Sequence, residues 1–304
     1  MFVDCSFSIT LHNIHRIQKD IFERETLQQP PYYIHGEKNE LSQFAVCPAC
    51  DNPIQIIGLY KSIKDGRECY GKHHLNSIRG LAEYNQQAYD YCPYSQNRIN
   101  VNENSRKDQL TDYERRIYTL MREQFDRVIY VLSKAIDIKI TASAARRMLE
   151  TYINGRGWLY SWATLNNLPY VLGHLTWSKT LYGQLIFRDS PLHKAIIEKC
   201  PSAELTPHSY YSDYDIISKK ENGNYIDLNY CIIDHKRSIV NDQNEETMQL
   251  LVTNGRGNHA ELIFKKRLEI DEAYFLNLIN LPEERAQRNE SLINIAAELM
   301  PALT

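Results

Sequence analysis

Residues 41–60 read LSQFAVCPACDNPIQIIGLY, and the pair Cys47-Pro48-Ala49-Cys50 inside them governs the reading of the first hundred residues. A Cys-x-x-Cys pair lets two thiolates grip one ion from a single tight turn. The apolar runs on either side, with PIQIIGLY the clearer of the two, have strand composition. Asp51-Asn52-Pro53 supplies turn chemistry just past the second cysteine. The expected local structure is a metal knuckle at the tip of a β-hairpin.

Working outward, the same stretch continues through Cys69, Gly71-Lys72-His73-His74 and Tyr91-Cys92-Pro93-Tyr94-Ser95. The second turn matches the first but carries Ser95 where another cysteine would stand, so a histidine from between them is expected to fill the fourth position. The ligand set is Cys47, Cys50, Cys92 and one of His73 or His74, with His73 preferred and Cys69 as a spare. Four protein ligands make a closed, structural zinc site. A redox dithiol or unconnected buried cysteines are the competing reading.

Composition narrows the classes. The chain has 304 residues, enough for two domains or one domain with an added module. A net charge of -3 argues against a uniformly basic surface but leaves room for local patches. Lys61, Lys64, Lys72 and Arg79 form one such group beside the cysteines, and they are the expected nucleic-acid contacts, although a merely solvated face would look the same. Seven cysteines, an odd number in a large chain whose start does not read as a secretory leader, fit a reduced cytoplasmic setting. No apolar run is long enough to span a membrane. Tyrosine is abundant, with 21 residues, and suits half-buried edges, interfaces or stacking on unpaired bases.

The patterning predicts an α+β chain: an N-terminal zinc-stapled module over 1–105, then 106–304 as a central helical layer and a C-terminal antiparallel β-meander with a terminal helix. Residues 2–10 read as a strand, 13–26 and 76–91 as helices, and 28–39 as a loop. Thr111 with Glu114 forms a capping-box signature, and Ile117, Met121, Phe125, Val128 and Leu132 continue at helical spacing as one long helix. Further helices are expected at 141–153, within 162–188, and from Ser190-Pro191. Four β-rich runs after Pro201 predict the meander.

The order Cys47-x-x-Cys50, His73-His74, Gly80, Asn85, Cys92-x-x-Ser95 and Asn97 resembles an HNH-type (ββα-metal) endonuclease module stapled by zinc. The resemblance covers about a sixth of the chain and implies His74 as general base, His73 and Asn97 as Mg²⁺ ligands, and Asn85 as a structural asparagine. The chain departs from that pattern at His73, where an acidic residue is usual, and at Ser95, where a cysteine is usual. A histidine used by zinc is lost to catalysis.

A second arrangement, Asp215 with Asp234-His235-Lys236, is similar to the metal-binding carboxylates and lysine of restriction-like nucleases, and ordinary strand alternation explains it equally well. Phosphate-loop, dinucleotide-binding and serine-hydrolase motifs are absent from the sequence. The leading expectation is a cytoplasmic zinc-containing recognition protein acting on nucleic acid or within a nucleic-acid-handling complex. The alternatives are a metal-dependent HNH-like endonuclease and a structural adaptor.

Overall fold

The computed structural model describes all residues except 1–5, 9–13, 37–39, 62–68, 96–101, 109, 177, 241–242, 256, 258–259, 282–284, 286 and 304. The chain divides into two compact units. Unit 1 comprises Met1–Arg115, Leu159–Thr164 and Ile239–Asn244; unit 2 comprises Arg116–Trp158, Leu165–Ser238 and Glu245–Thr304. The class is α+β, with antiparallel sheets and helices at the C-terminal end. Among the described residues no helix is long and apolar enough to cross a membrane.

Unit 1 is organised on an antiparallel sheet of β1 (Ser6–Ser8), β2 (Ile14–Arg16), β3 (Tyr33–His35), β4 (Leu41–Val46), β5 (Pro53–Ile57) and β6 (Tyr70–His73). The order is β2-β1-β4-β5-β6, with β3 also pairing β4. The hairpin β4–β5 is the one the sequence predicts, with Val46 opposite Pro53 across the cysteine turn. Helix α1 (Lys19–Thr26) buries Phe22 against Ile17, Tyr33, Ile54 and Ile56, and Cys47 and Cys92 belong to the same cluster. The future ligands therefore sit at the margin of an apolar core.

Three local expectations are corrected here. Ile14 lies in β2, so the first helix begins only at Lys19. Residues 33–35 form a strand inside the stretch expected to be a loop. Residues 76–91 are not one helix: Ile78 bridges to Ala82 across a turn with Gly80 at φ 80°, and only α2 (Gln86–Asp90) is helical. Glycine at positive φ is a turn residue, and that turn breaks the apolar spacing which suggested a helix.

Unit 2 contains most of the helical layer. The expected long helix is two: α3 (Asp112–Glu123), which begins in unit 1, and α4 (Phe125–Ile136), separated by Gln124. Thr111 and Glu114 do meet at the start of α3, where the Glu114 carboxylate accepts from the Thr111 amide and hydroxyl. Helix α5 (Ala142–Asn154) is capped by the Thr141 hydroxyl, α6 (Leu168–His174) has Pro169 in its first turn, and α7 (Pro191–Lys199) is capped by Ser190. Side-chain oxygens at these caps accept amide protons that the helix cannot use itself.

One four-stranded sheet has the order β10 (Ala203–Pro207), β11 (Tyr214–Lys219), β9 (Leu185–Phe187), β7 (Ile138–Lys139). The other has β14 (Glu261–Glu269), β13 (Gln243–Asn254), β12 (Leu228–Val240), β8 (Lys179–Thr180). The first of the four predicted C-terminal strands thus leaves the meander and pairs with β10 and β9, because the connection over 220–227 is too long for a tight hairpin. Helices α8 (Glu272–Ile279) and α9 (Glu290–Leu299) complete the chain, with Phe275 and Ala296 fully buried.

Candidate metal centre

Three elements of unit 1 converge on one point. Cys47 follows the last residue of β4, and its amide donates to the Asn52 carbonyl while the Asp51 amide donates back to the Cys47 carbonyl. Asp51 takes the left-handed conformation at φ 57°, which folds the turn tightly enough to bring Cys50 round. His73 ends β6 directly across from Ile54 of β5. Cys92 lies just past the end of α2, its amide bonded to the Tyr89 carbonyl.

The donor atoms of Cys47, Cys50, His73 and Cys92 all lie within 4.8 Å of one another. Cys47 Sγ is 3.8 Å from Cys92 Sγ, and His73 Nε2 is 3.3 Å from Cys50 Sγ and 3.6 Å from Cys92 Sγ. This Cys₃His group can hold a metal ion. No other group of three or more His, Cys, Asp or Glu residues converges in this way among the described residues.

The electrostatics call for a cation. Burial pushes the Cys47 and Cys92 thiols well up, and their neighbouring sulfurs push Cys47 further. Burial acts in the same direction on Cys50, but hydrogen bonds from Cys47, Cys92 and His73 outweigh it and hold Cys50 well below the ordinary thiol range. Three thiolates this close together need a positive centre between them.

The surrounding groups fix the ligands. Buried Asn52 donates from Nδ2 to Cys50 Sγ at 3.4 Å and to the Asn85 carbonyl at 3.1 Å, and its Oδ1 accepts from the Asn85 amide at 2.6 Å. Asn85 in turn caps α2 by accepting from the Ala88 amide. The Tyr94 amide donates to Cys92 Sγ at 3.4 Å, and the Tyr89 ring stands edge-on to His73 at 5.1 Å. Asn52 therefore links the knuckle to the helix that delivers Cys92. Sequence reading took it only as a turn residue; an amide following a cysteine knuckle was the signal.

The other sequence candidates fall elsewhere. His74 is half-buried with its ring edge-on to Phe44 at 5.3 Å, and only its amide reaches β5. Cys69 is not in the cluster; its thiol donates to the Ile17 carbonyl. His73, which the HNH resemblance would also use as a Mg²⁺ ligand, points Nε2 into the sulfurs. Asn97 and Lys64 lie outside the described residues. Lys61, Lys72 and Arg79 are exposed.

A cleft of about 930 Å³ opens beside Cys50, lined by Tyr84, Tyr91, Arg106 and Lys107 and by the carboxylates of Asp51, Glu83, Asp108 and Glu114. Lys107 is committed to Glu114 at 2.5 Å. Burial, followed by the charges of Cys50, Asp112 and Glu114, raises Asp51 to about 6. The cleft is acidic, so it is a poor seat for phosphate.

The arrangement similar to restriction-like nucleases does not assemble. Asp215 is on β11, whereas Asp234 and Lys236 are on β12 in the other sheet. Asp215 is instead held by Arg188 at 2.6 Å and His193 at 2.8 Å, and despite burial these two keep its carboxyl below the usual range. His174, at the end of α6, is half-buried, with Nδ1 3.0 Å from the Ile232 carbonyl.

No protein-family model matches the chain, and no curated protein or solved structure matches it.

Proposed function

We propose that the chain is a cytoplasmic recognition protein whose N-terminal unit is stapled by a structural zinc ion, and that it works on nucleic acid or inside a complex that handles it. The observation that carries this reading is the closed Cys47, Cys50, His73, Cys92 donor set. A tetrahedral zinc with Zn–S near 2.3 Å and Zn–N near 2.0 Å requires sulfurs about 3.8 Å apart and sulfur–nitrogen separations of about 3.5 Å. The separations of 3.8, 3.3 and 3.6 Å support that ion and that geometry. Four protein donors leave no coordination position for substrate or water, so the zinc serves folding and not catalysis.

No disulfide joins the described cysteines, which supports a reducing compartment. The exposed Lys61, Lys72 and Arg79 support an anionic partner. Lys72 adjoins His73 on β6, and strand alternation turns it to the face opposite the ligand. A nuclease built on the HNH resemblance would keep only His74 of its described catalytic pair, since His73 is used by the metal.

Elemental mass spectrometry on the purified chain, before and after prolonged chelation, tests the reading. Stoichiometric zinc that resists chelation is expected. Nucleic-acid binding that falls when Lys61, Lys72 and Arg79 are reversed to Glu is the second expectation, with no cleavage on adding Mg²⁺. Absence of zinc with every thiol freely titratable removes the reading, and Mg²⁺-dependent cleavage lost in His74→Ala replaces it with the nuclease.

A further inference from the structure

Unit 2 carries a second surface with recognition chemistry. Phe187 of β9 lies directly opposite Tyr214 of β11, so the two rings share one sheet face, with centroids 5.5 Å apart. Tyr211 continues the array at 6.3 Å from Tyr214, and Tyr210 stands 4.9 Å from Tyr211. His208 holds the turn by accepting from the Tyr210 and Tyr211 amides, and its ring stacks on Tyr211. Tyr210 is 81% exposed and Phe187 38%.

Two lysines sit among these rings. Lys139 Nζ lies 4.2 Å from the Tyr211 centroid and 5.4 Å from that of Tyr214, and Lys134 Nζ lies 5.3 Å from that of Phe187. Among the described residues neither lysine has a carboxylate within ion-pair distance, whereas neighbouring Arg188 is committed to Asp215. Asp213 flanks the array at its Tyr214 edge. The ammonium groups are thus held by ring faces, leaving their charge for an anion.

We propose that this face, centred on Lys134, Lys139, Phe187, Tyr210 and Tyr211, binds single-stranded nucleic acid. The exposed Tyr210 ring would stack on an unpaired base while the two lysines, seated over Tyr211 and Phe187, meet the flanking phosphates. A duplex has its bases already stacked and cannot offer them to exposed rings, so the surface selects single strands. The two lysines, which have no carboxylate within ion-pair distance among the described residues, set the ligand's sign although Asp189 and Asp213 lie nearby, and the exposed Tyr210 ring sets its chemistry. The inference rests on the nucleic-acid reading above and assigns it a location within unit 2.

The test is fluorescence anisotropy with the full chain and a labelled oligonucleotide of about 12 nucleotides, against a duplex of the same sequence. Single-strand binding stronger than duplex binding is expected. Tyr210→Ala should weaken it about fivefold or more, while Tyr210→Phe preserves it. Lys139→Gln should reduce the slope of log affinity against log salt by about 0.7. Tyr210 is largely solvent-exposed, so its variants retain the fold, as circular dichroism would verify. If the chain binds oligonucleotides and these variants do not alter it, while reversal of Lys61, Lys72 and Arg79 does, this surface is overturned and the general reading stands. Duplex preference also overturns it. If the chain binds no oligonucleotide at all, the general reading falls and takes this inference with it.

Discussion

The sulfurs of Cys47 and Cys92 lie 3.8 Å apart although 45 residues separate them in the chain. Two buried thiolates at that distance repel each other unless a cation stands between them. Both residues belong to the first unit's apolar cluster, Cys47 from the turn between β4 and β5 and Cys92 from just past α2.

Removing a ligand therefore costs both metal and fold. Cys92→Ser or His73→Ala should abolish stoichiometric metal and lower the unfolding temperature of the first unit, because metal binding and folding are linked. Cys69→Ser and His74→Ala should keep the metal, since neither side chain enters the cluster. Elemental analysis paired with thermal melts reads all four variants. Metal retained in Cys92→Ser, or lost in Cys69→Ser, contradicts the assignment.

Asn52 is the next test, because it would act on a bound metal only through Cys50. Asn52→Ala removes the amide that orients the sulfur and ties it to Asn85. Loss of an outer-shell partner of this kind typically lowers metal affinity roughly 10–100-fold. Competition with a chromogenic chelator would measure the change. An unaltered affinity would reduce Asn52 to a turn residue.

Much of this centre was legible in the sequence because ligand spacing is local. The Cys-x-x-Cys turn, the preferred histidine and Cys92 follow from residue types within one short stretch, and the caps at Thr141 and Ser190 are equally local. What escaped depends on geometry between elements. The apolar stripe from Ile117 to Leu132 runs unbroken across Gln124, so a one-residue break with φ -117° and ψ 22° leaves no mark on the periodicity. The short strand β6 has only four residues, and Gly71 and Lys72 within it weaken any alternation signal. Asp215 looked like half of a metal site because its true partners, Arg188 and His193, lie 27 and 22 residues away along the chain.

The second unit should lose stability in acid through one buried carboxylate. Glu246 is 1% exposed at its side chain and lies 2.6 Å from His235 Nε2 and 3.1 Å from an Arg237 nitrogen. Asn167 donates to the same carboxylate at 2.6 Å. Burial alone would raise its pKa, but Arg237, His235 and Asn167 prevail and bring it from 4.5 to about 2. A depressed folded pKa gives stability that is complete above the unfolded value and lost as pH falls toward the folded one. The window is therefore about pH 4.5 down to about pH 2, and the contribution is on the order of 3 kcal/mol. Glu246→Gln should lower urea stability by about that amount at neutral pH, and the gap to wild type should close as the pH approaches the bottom of the window. A gap independent of pH would mean that the carboxylate's charge is not the source.

Among the described glycines of the second unit, Gly157, which opens the 3₁₀ turn Gly157–Leu159, leaves the least room for a Cβ. A Cβ at this position would stand 2.2 Å from two carbons of the Tyr152 ring and 2.8 Å from a third. Tyr152 is fully buried, and its ring packs against Trp158 at 6.3 Å, so it has no free direction in which to turn. The clash has to be relieved by moving the turn or the ring, and overpacking of this kind costs about 1–3 kcal/mol. Gly157→Ala should therefore lower the unfolding midpoint without changing the denaturant slope. Trimming the ring in the double variant Gly157→Ala with Tyr152→Leu makes the room the methyl needs, so the two changes should cost less together than the sum of their separate effects. Strict additivity in that double-mutant cycle would show that the methyl meets something other than the Tyr152 ring.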